Sequence, residues 1–158
     1  YSTLGQEIEW AQEYIAIEQI RMGHRRVQVE WHHDAPDDAE TPQLLLQPLL
    51  ENAVFHGVET THRPGNIVVQ TALQGHWLYI RIENPFTPHE NMENTKKVHR
   101  SNSMALKNLK ERLDIMYDND AQLKLEALDE LGIYRVDIRL PYRSKEKETE
   151  NQTLFGGD

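Results

Sequence analysis

The chain has 158 residues, of which 38% are hydrophobic and 27% are charged, and these values are typical of one globular domain. Its 17 Lys and Arg against 26 Asp and Glu give a formal net charge of −9, which argues against binding nucleic acid or anionic lipid by bulk charge. The lack of cysteine excludes disulfides, thiolate zinc sites and a cysteine nucleophile. The sequence contains no apolar run of the length that a membrane span or signal peptide needs. Because the chain opens with Tyr1, we expect it to be a piece of a longer protein.

The first segment predicts a helix from Gln6 to about Met22, because Thr3 and Gln6 have the spacing of a capping box. Its apolar residues cover a wider part of the helix circumference than a surface helix needs. Two interpretations follow: a terminal helix packed on its own domain, or a helix that continues from a helical module preceding this chain. The two apolar stripes are Ile8, Ala11 and Ile15, and Trp10, Tyr14 and Ile17.

A second helix is predicted between Thr41 and Gly57. Thr41 followed by Pro42 is typical of an N-cap and a first helical residue, and Gly57 is typical of a C-cap. Pro48 would then lie inside the helix, where it removes a backbone hydrogen bond and bends the axis.

The other elements complete a single sandwich. A third helix is predicted from Met104 to Tyr117, and the polar stretch from Asn84 to about Ser103 predicts a lid because it is long for a connection. Residues 143–158 are charged and predict a disordered tail. The order of the elements favours an α+β two-layer sandwich with helices on one face of one sheet. The predicted strands are Arg26–Trp31, Ile67–Ala72, Leu78–Ile82, Leu123–Leu128 and Tyr134–Leu140, with a hairpin at Gln74-Gly75 between the second and third.

Two polar side chains of the second helix are placed toward its apolar face. At about 100° per residue, Asn52 lies at the edge of that face and His56 falls on it. A buried amide or imidazole without a hydrogen-bond partner costs about 1–3 kcal/mol. Either a ligand pocket beneath the helix or hydrogen bonds to backbone in the core would satisfy these groups. The apolar face consists of Leu45, Leu46, Leu49 and Ala53.

Residues 45–57, LLQPLLENAVFHG, resemble the N-box of sensor histidine kinases of the LytS/AlgZ type, within the wider GHKL ATPase superfamily. Residues 13–23 resemble the helix that precedes the ATP-binding domain in that family, and residues 82–85 its first nucleotide-contact box. Residues 104–113 resemble the helix after the ATP lid, and residues 134–141 the closing strand. Together these segments cover roughly nine tenths of the chain in the family's order. The resemblance implies a Bergerat-type sandwich with a mixed sheet and an ATP site beside the helices.

The resemblance also implies roles for individual residues. Asn52 would be the Mg²⁺ ligand, because an amide oxygen can share a hard cation with triphosphate oxygens and water. Glu51 would support the reaction beside it, and His56 would contact phosphate or shape the pocket wall. Asn84 would accept a hydrogen bond from the adenine amino group. The remaining nucleotide contacts implied are Ser101, Asn102, Ser103, Met104 and Leu106.

Two departures from the family pattern bear on the reaction. Hydrolytic members carry a Glu base four residues before the Asn, where this chain has Pro48, so phosphotransfer to a histidine is favoured over ATP hydrolysis. The Gly-rich second box is replaced by residues 101–103, whose β-carbons stand where backbone amides should approach phosphates. A basic cluster in the predicted lid would either meet the phosphates or remain solvated; its members are Lys96, Lys97 and Arg100.

The resemblance therefore implies a protein histidine kinase that uses ATP and Mg²⁺. Residues 24–142 would be the catalytic domain with a lid over about 84–103, residues 1–23 a connector from phosphoacceptor helices outside the chain, and residues 143–158 the tail. The partners implied are a response regulator and those phosphoacceptor helices in a homodimer, with neither nucleic acid nor membrane contact. The domain would be the cytoplasmic part of an inner-membrane protein. The alternatives are a degenerate module that acts by protein interaction and a GHKL-type ATP hydrolase.

Overall fold

The computed structural model describes residues 1–59, 65–86 and 92–145, without the side chains of residues 58, 59 and 92–103. The helices of this part are Leu4–Met22 (α1), Leu46–Val54 (α2) and Met92–Met116 (α3), and a π-helical segment, Phe55–Glu59, follows α2. None of these described helices has both the length and the apolar character of a membrane span. The strands are Ser2–Thr3 (β1), Val27–His33 (β2), Glu40–Thr41 (β3), Gly65–Gln74 (β4), Trp77–Pro85 (β5), Gln122–Leu128 (β6) and Ile133–Pro141 (β7).

Five strands form one mixed sheet in the order β2-β4-β5-β7-β6. The pair β2 and β4 is parallel, and the other neighbouring pairs are antiparallel. Val69, Ile82 and Val136 share one side across three strands and are buried in a core that also contains residues of all three helices. The other side carries ion pairs such as Arg81 with Asp137, at 2.6 Å. The predicted α+β two-layer sandwich is confirmed, and so are the five strands to within a few residues at their ends.

Helix α1 begins as the capping pattern predicted. The Thr3 hydroxyl accepts a hydrogen bond from the backbone N–H of Gln6 at 3.3 Å. The first apolar stripe is buried, so α1 packs on its own domain. In the second stripe, Ile17 is 62% exposed, whereas Tyr14 is half-buried.

The predicted start and end of the second helix are wrong. Thr41 does not cap a helix, because it lies in β3 and pairs with Ser2. Helix α2 begins at Leu46, which places Pro48 in its first turn. Backbone N–H groups in the first turn have no hydrogen-bond partner within the helix. The proline therefore removes no helical hydrogen bond. The chain also does not leave the helix at Gly57 but continues through it as the π-helical segment.

The predicted lid and tail contain more regular structure than their composition indicates. Residues 92–103 are part of α3, which therefore begins well before Met104, and this stretch holds no Gly or Pro to interrupt a helix. Residues 87–91 lie outside the described part. The start of the tail is ordered, since Glu40 donates its N–H to the Arg143 carbonyl at 2.8 Å and Lys145 donates to the Asp38 carbonyl at 3.1 Å. Residues 146–158 lie outside the described part.

Tyr117, which follows α3, should make the fold sensitive to alkali. Its hydroxyl is buried without a hydrogen-bond partner in the described part of the chain, and burial raises the pKa of the phenol above its usual 10.0. The unfolded chain loses this proton near the usual tyrosine pKa of 10.0, whereas the folded chain keeps it. The contribution of Tyr117 to stability is therefore constant below that pH and falls as the pH rises toward the folded pKa.

We expect Tyr117→Phe to stabilise the fold by about 1 kcal/mol at neutral pH, since it removes a buried hydroxyl for which the described residues provide no hydrogen-bond partner. The variant should also lose less stability than the unmutated chain between about pH 9 and about pH 10.5. Urea unfolding at both pH values measures the two effects. Tyr79→Phe, at an exposed tyrosine, is the matched control, and an equal alkaline loss in Tyr117→Phe and the unmutated chain would contradict this expectation.

Candidate nucleotide site

A cavity of about 290 Å³ lies between α1, α2 and α3. Its volume is near the lower end of the range for small-molecule sites, about 300–1,000 Å³. Tyr14 comes from α1, and Leu106 and Leu109 come from α3. The other described lining residues are Pro48, Glu51, Asn52, Val54, Phe55 and Ala105.

Asn52 supplies the polar group of greatest interest in this cavity. The residue is 5% exposed, and its side-chain oxygen Oδ1 is buried with no hydrogen-bond partner among the described residues. Such an atom costs about 1–3 kcal/mol of folding free energy if nothing binds it. Amide oxygens are ligands of hard cations, and Mg²⁺ usually takes one or two protein ligands and completes its shell with phosphate oxygens and water. The inward orientation predicted for Asn52 is confirmed, and the residue fits the chemistry of a magnesium ligand.

Of the other predicted site residues near the cavity, some line it and others do not. Glu51 lines the cavity although it is exposed, and its Oε1 accepts a hydrogen bond from Gln47 Nε2 at 3.2 Å. Leu106 lines the cavity and is 7% exposed. Met104 is 66% exposed and is not among the lining residues. The structure thus brings Glu51, Asn52 and Leu106 together and leaves Met104 outside.

Residues 101–103 do not stand at the start of a helix. Because α3 begins at Met92, their backbone N–H groups lie inside the helix, where they are used for intrahelical hydrogen bonds. The predicted arrangement, in which the first amides of a helix over 104–117 face the phosphates, is therefore not formed in this structure. The side chains of Ser101, Asn102 and Ser103 lie outside the description, so their contact with nucleotide stays a prediction.

His56 lies in a small aromatic cluster one turn beyond Asn52. Its ring is half-buried, and its centroid is 6.2 Å from that of Tyr134 at an interplanar angle of 32°. Phe55 approaches it edge-on at 5.7 Å, and Phe86 packs on Tyr134 at 6.2 Å. Burial raises the pKa of Tyr134. His56 therefore belongs to an aromatic cluster, but it is not among the described residues that line the cavity, so its contact with nucleotide stays a prediction.

Asn84 is held at the end of β5 by its own local contact. The residue is 2% exposed, and its Nδ2 donates to the Pro85 carbonyl at 2.8 Å, which leaves the amide oxygen as the end that can accept a ligand's hydrogen bond. Gly57 packs directly against it, because a β-carbon at Gly57 would lie 3.1 Å from Asn84 Cβ and 3.4 Å from Nδ2. The glycine predicted as a helix terminator thus serves a close approach between the π-helical segment and the sheet.

Sequence reasoning missed three aromatic residues of the site. Tyr14 and Phe55 line the cavity, and Tyr134 packs on His56. For Tyr14 a signal existed in the second apolar stripe of α1. For Phe55 and Tyr134 the sequence carried only their apolar character.

No protein-family model matches the chain. The chain is 29% identical over 147 residues to the sensor histidine kinase YpdA of Escherichia coli strain K12, which covers 88% of the chain and 25% of YpdA. It is 28% identical over 155 residues to the sensor protein LytS of Streptococcus agalactiae serotype V, which covers 94% of the chain and 26% of LytS. The chain therefore spans about a quarter of the length of these curated relatives.

The fold is that of histidine kinase catalytic domains. The chain superposes on the catalytic domain of histidine kinase ThkA with a TM-score of 0.60 at 12% identity, covering 88% of the chain and 92% of that domain. It also matches ThkA in its complex with the response regulator protein TrrA, with a TM-score of 0.58 at 15% identity, covering 89% of the chain and 41% of ThkA. At these identities the likeness shows the fold alone, which is consistent with the GHKL-type sandwich.

Proposed function

We propose that this chain, a relative of the sensor histidine kinases with the fold of their catalytic domains, binds Mg-ATP and transfers the γ-phosphate to a histidine outside the chain. The phosphate would then pass to a response regulator. The observation that carries the proposal is Asn52 Oδ1, a buried amide oxygen that has no hydrogen-bond partner among the described residues and belongs to a residue lining the cavity. A bound Mg²⁺ supplies neutralisation of the triphosphate charge, and Asn52 would hold it.

Other residues would orient the nucleotide. The Asn84 oxygen would accept a hydrogen bond from the adenine amino group, and His56 with Tyr134 would form a wall of the pocket. Glu51 would act beside Asn52. Because Pro48 lines the cavity where hydrolytic relatives carry a carboxylate, this chain has no base at that position to activate water, and transfer to a histidine is favoured over hydrolysis.

The proposal assigns residues 24–142 to the catalytic domain and residues 1–23 to a connector from phosphoacceptor helices of a homodimer. Residues about 84–103 would form the lid. The full protein would be a membrane sensor with this domain in the cytoplasm. The resemblance of the chain to sensor histidine kinases supports these assignments.

A second candidate function has its own support. Residues 101–103 carry β-carbons in place of glycines and lie inside α3, which leaves no helix N-terminus at that point for phosphate. A module with the same fold that regulates a partner by contact, without productive nucleotide chemistry, would be compatible with that arrangement.

Calorimetric titration with Mg-ATP separates the two candidates. We expect one binding site on the unmutated chain and binding weakened about tenfold or more in Asn52→Ala, which removes the amide oxygen. Without Mg²⁺, ATP should bind both proteins equally, because the amide acts through the cation. Asn108→Ala, at an exposed asparagine of α3, is the matched control. No binding by the unmutated chain would favour the second candidate, and equal Mg-ATP binding by Asn52→Ala would refute the role of Asn52.

A further inference from the structure

The first turn of α2 is capped by a side chain from another helix. Leu45 at the N-cap position makes no side-chain capping hydrogen bond, and Leu44 before it has a φ of 56°. The carboxylate of Glu7, on α1, accepts hydrogen bonds from the backbone N–H groups of Leu44 at 2.7 Å, Leu45 at 3.1 Å and Leu46 at 3.5 Å. The Ser2 hydroxyl donates to the same carboxylate at 2.6 Å.

Glu7 is 1% exposed, and a carboxylate at such depth is tolerated only when its charge is compensated. The backbone amides and the positive end of the α2 dipole provide that compensation. This contact is directional, unlike the apolar packing of the buried Ile8 and Ile15 of the same helix. If α1 rotated or withdrew, α2 would lose its cap and Glu7 its partners at the same time.

Helix α1 also reaches the cavity itself. Tyr14 lies two turns after Glu7 and lines the same cavity as Asn52. Asn52 in turn belongs to the short helix whose first turn Glu7 caps. One helix therefore supplies both a wall of the cavity and the anchor of the element that carries the proposed metal ligand.

We propose that Glu7 is a positioning residue of the nucleotide site: by capping α2 it sets the orientation of Asn52, so that docking of α1 and binding of Mg-ATP stabilise each other. The inference rests on the proposed function and adds a means of regulation to it. Coupling free energies of this kind are reciprocal. A movement of α1 would change nucleotide affinity, and nucleotide would hold α1 in place.

Glu7→Gln tests the inference with the least change in size. Each oxygen of Glu7 accepts two hydrogen bonds, Oε1 from Ser2 and Leu44 and Oε2 from Leu45 and Leu46, and an amide NH₂ at either position cannot accept. We expect the dissociation constant for Mg-ATP to rise about 5- to 10-fold in protein that circular dichroism shows to be folded. Glu9→Gln, at an exposed glutamate of α1, makes the same chemical change and should bind normally. Ser2→Ala, which removes one donor, should give a smaller rise of about twofold and serves if Glu7→Gln does not fold.

Amide hydrogen exchange gives a readout that mere destabilisation would not produce. In the unmutated chain, saturating Mg-ATP should slow exchange in α1 as well as in the first turn of α2. In Glu7→Gln, saturating Mg-ATP should still slow exchange around Asn52 but no longer in α1. Normal affinity in folded Glu7→Gln, or protection of α2 without α1 in the unmutated chain, would overturn the inference alone. Absence of Mg-ATP binding by the unmutated chain would overturn the proposed function and this inference together.

Discussion

Replacing Asn52 with leucine should weaken Mg-ATP binding about 10- to 100-fold while leaving the folded chain at least as stable as before. Oδ1 of Asn52 is buried and lacks a partner in the described part of the chain, so its removal relieves a cost of about 1–3 kcal/mol. Leucine branches at the γ-carbon as asparagine does, and it would lie one turn after Leu49, which is 1% exposed. Groups that are unfavourable for folding are retained where function needs them.

Two measurements on the same variant separate the two interpretations that the sequence leaves open for Asn52. If the residue is a hydrogen-bonded part of the core, Asn52→Leu should lower the free energy of unfolding in urea by more than about 1 kcal/mol. If it is a ligand, that free energy should stay constant or rise while calorimetry shows the loss of affinity. Asn108→Leu, on the exposed side of α3, should change neither quantity. A variant that is more stable and binds Mg-ATP normally would refute the role of Asn52 as a metal ligand.

The strands were predictable because their information is local. In β4 and β5 the buried residues alternate with solvent-facing ones, and Gly75 at φ 61° supplies the turn between them. The inward orientation of Asn52 was predictable for a similar reason, since it depends on the period of one helix. An element whose own residues show a clear periodicity can be predicted without information about the elements that pack on it.

The start of α2 was not predictable from local signals. Thr41 and Pro42 have the residue types of a helix start, but the cap that forms comes from Glu7, which is 37 positions away from Leu44. Ser2 pairs with Thr41 instead and draws it into a strand. When a side chain distant in sequence sets a helix boundary, the residues next to the boundary carry no sequence signal for it.

The end of α2 and the start of α3 were missed for different reasons. The prediction of a helix up to Gly57 assumes α-helical geometry throughout, whereas the chain becomes π-helical at Phe55. Residues 92–103 lack apolar periodicity, yet they contain no residue that stops a helix. Apolar periodicity indicates that one face of a helix is buried. A helix that buries no face can form without such periodicity.

Gly57→Ala should reduce both stability and ATP affinity, although alanine normally stabilises a helix by about 1 kcal/mol relative to glycine. Gly57 lies in a helical segment, so backbone strain does not oppose the change. The opposing effect is contact: the new β-carbon would lie 3.1 Å from Asn84 Cβ and 3.5 Å from Pro85 Cδ. Because Asn84 is 2% exposed and bonded to the Pro85 carbonyl, it has little room to move. We expect a net loss of about 1–2 kcal/mol in the free energy of unfolding.

The ligand dependence of this effect distinguishes the two ends of the site. If Asn84 recognises adenine, Gly57→Ala should weaken Mg-ATP several-fold and leave binding of magnesium tripolyphosphate unchanged, because that ligand has no base. Asn52→Leu should weaken both ligands, since Asn52 acts on the cation that they share. Equal weakening of both ligands by Gly57→Ala would mean that the substitution disturbs the phosphate end of the site. A gain in stability with normal ATP binding would show that Asn84 can move away from the new β-carbon at little energetic cost. It would also show that Asn84 does not recognise adenine.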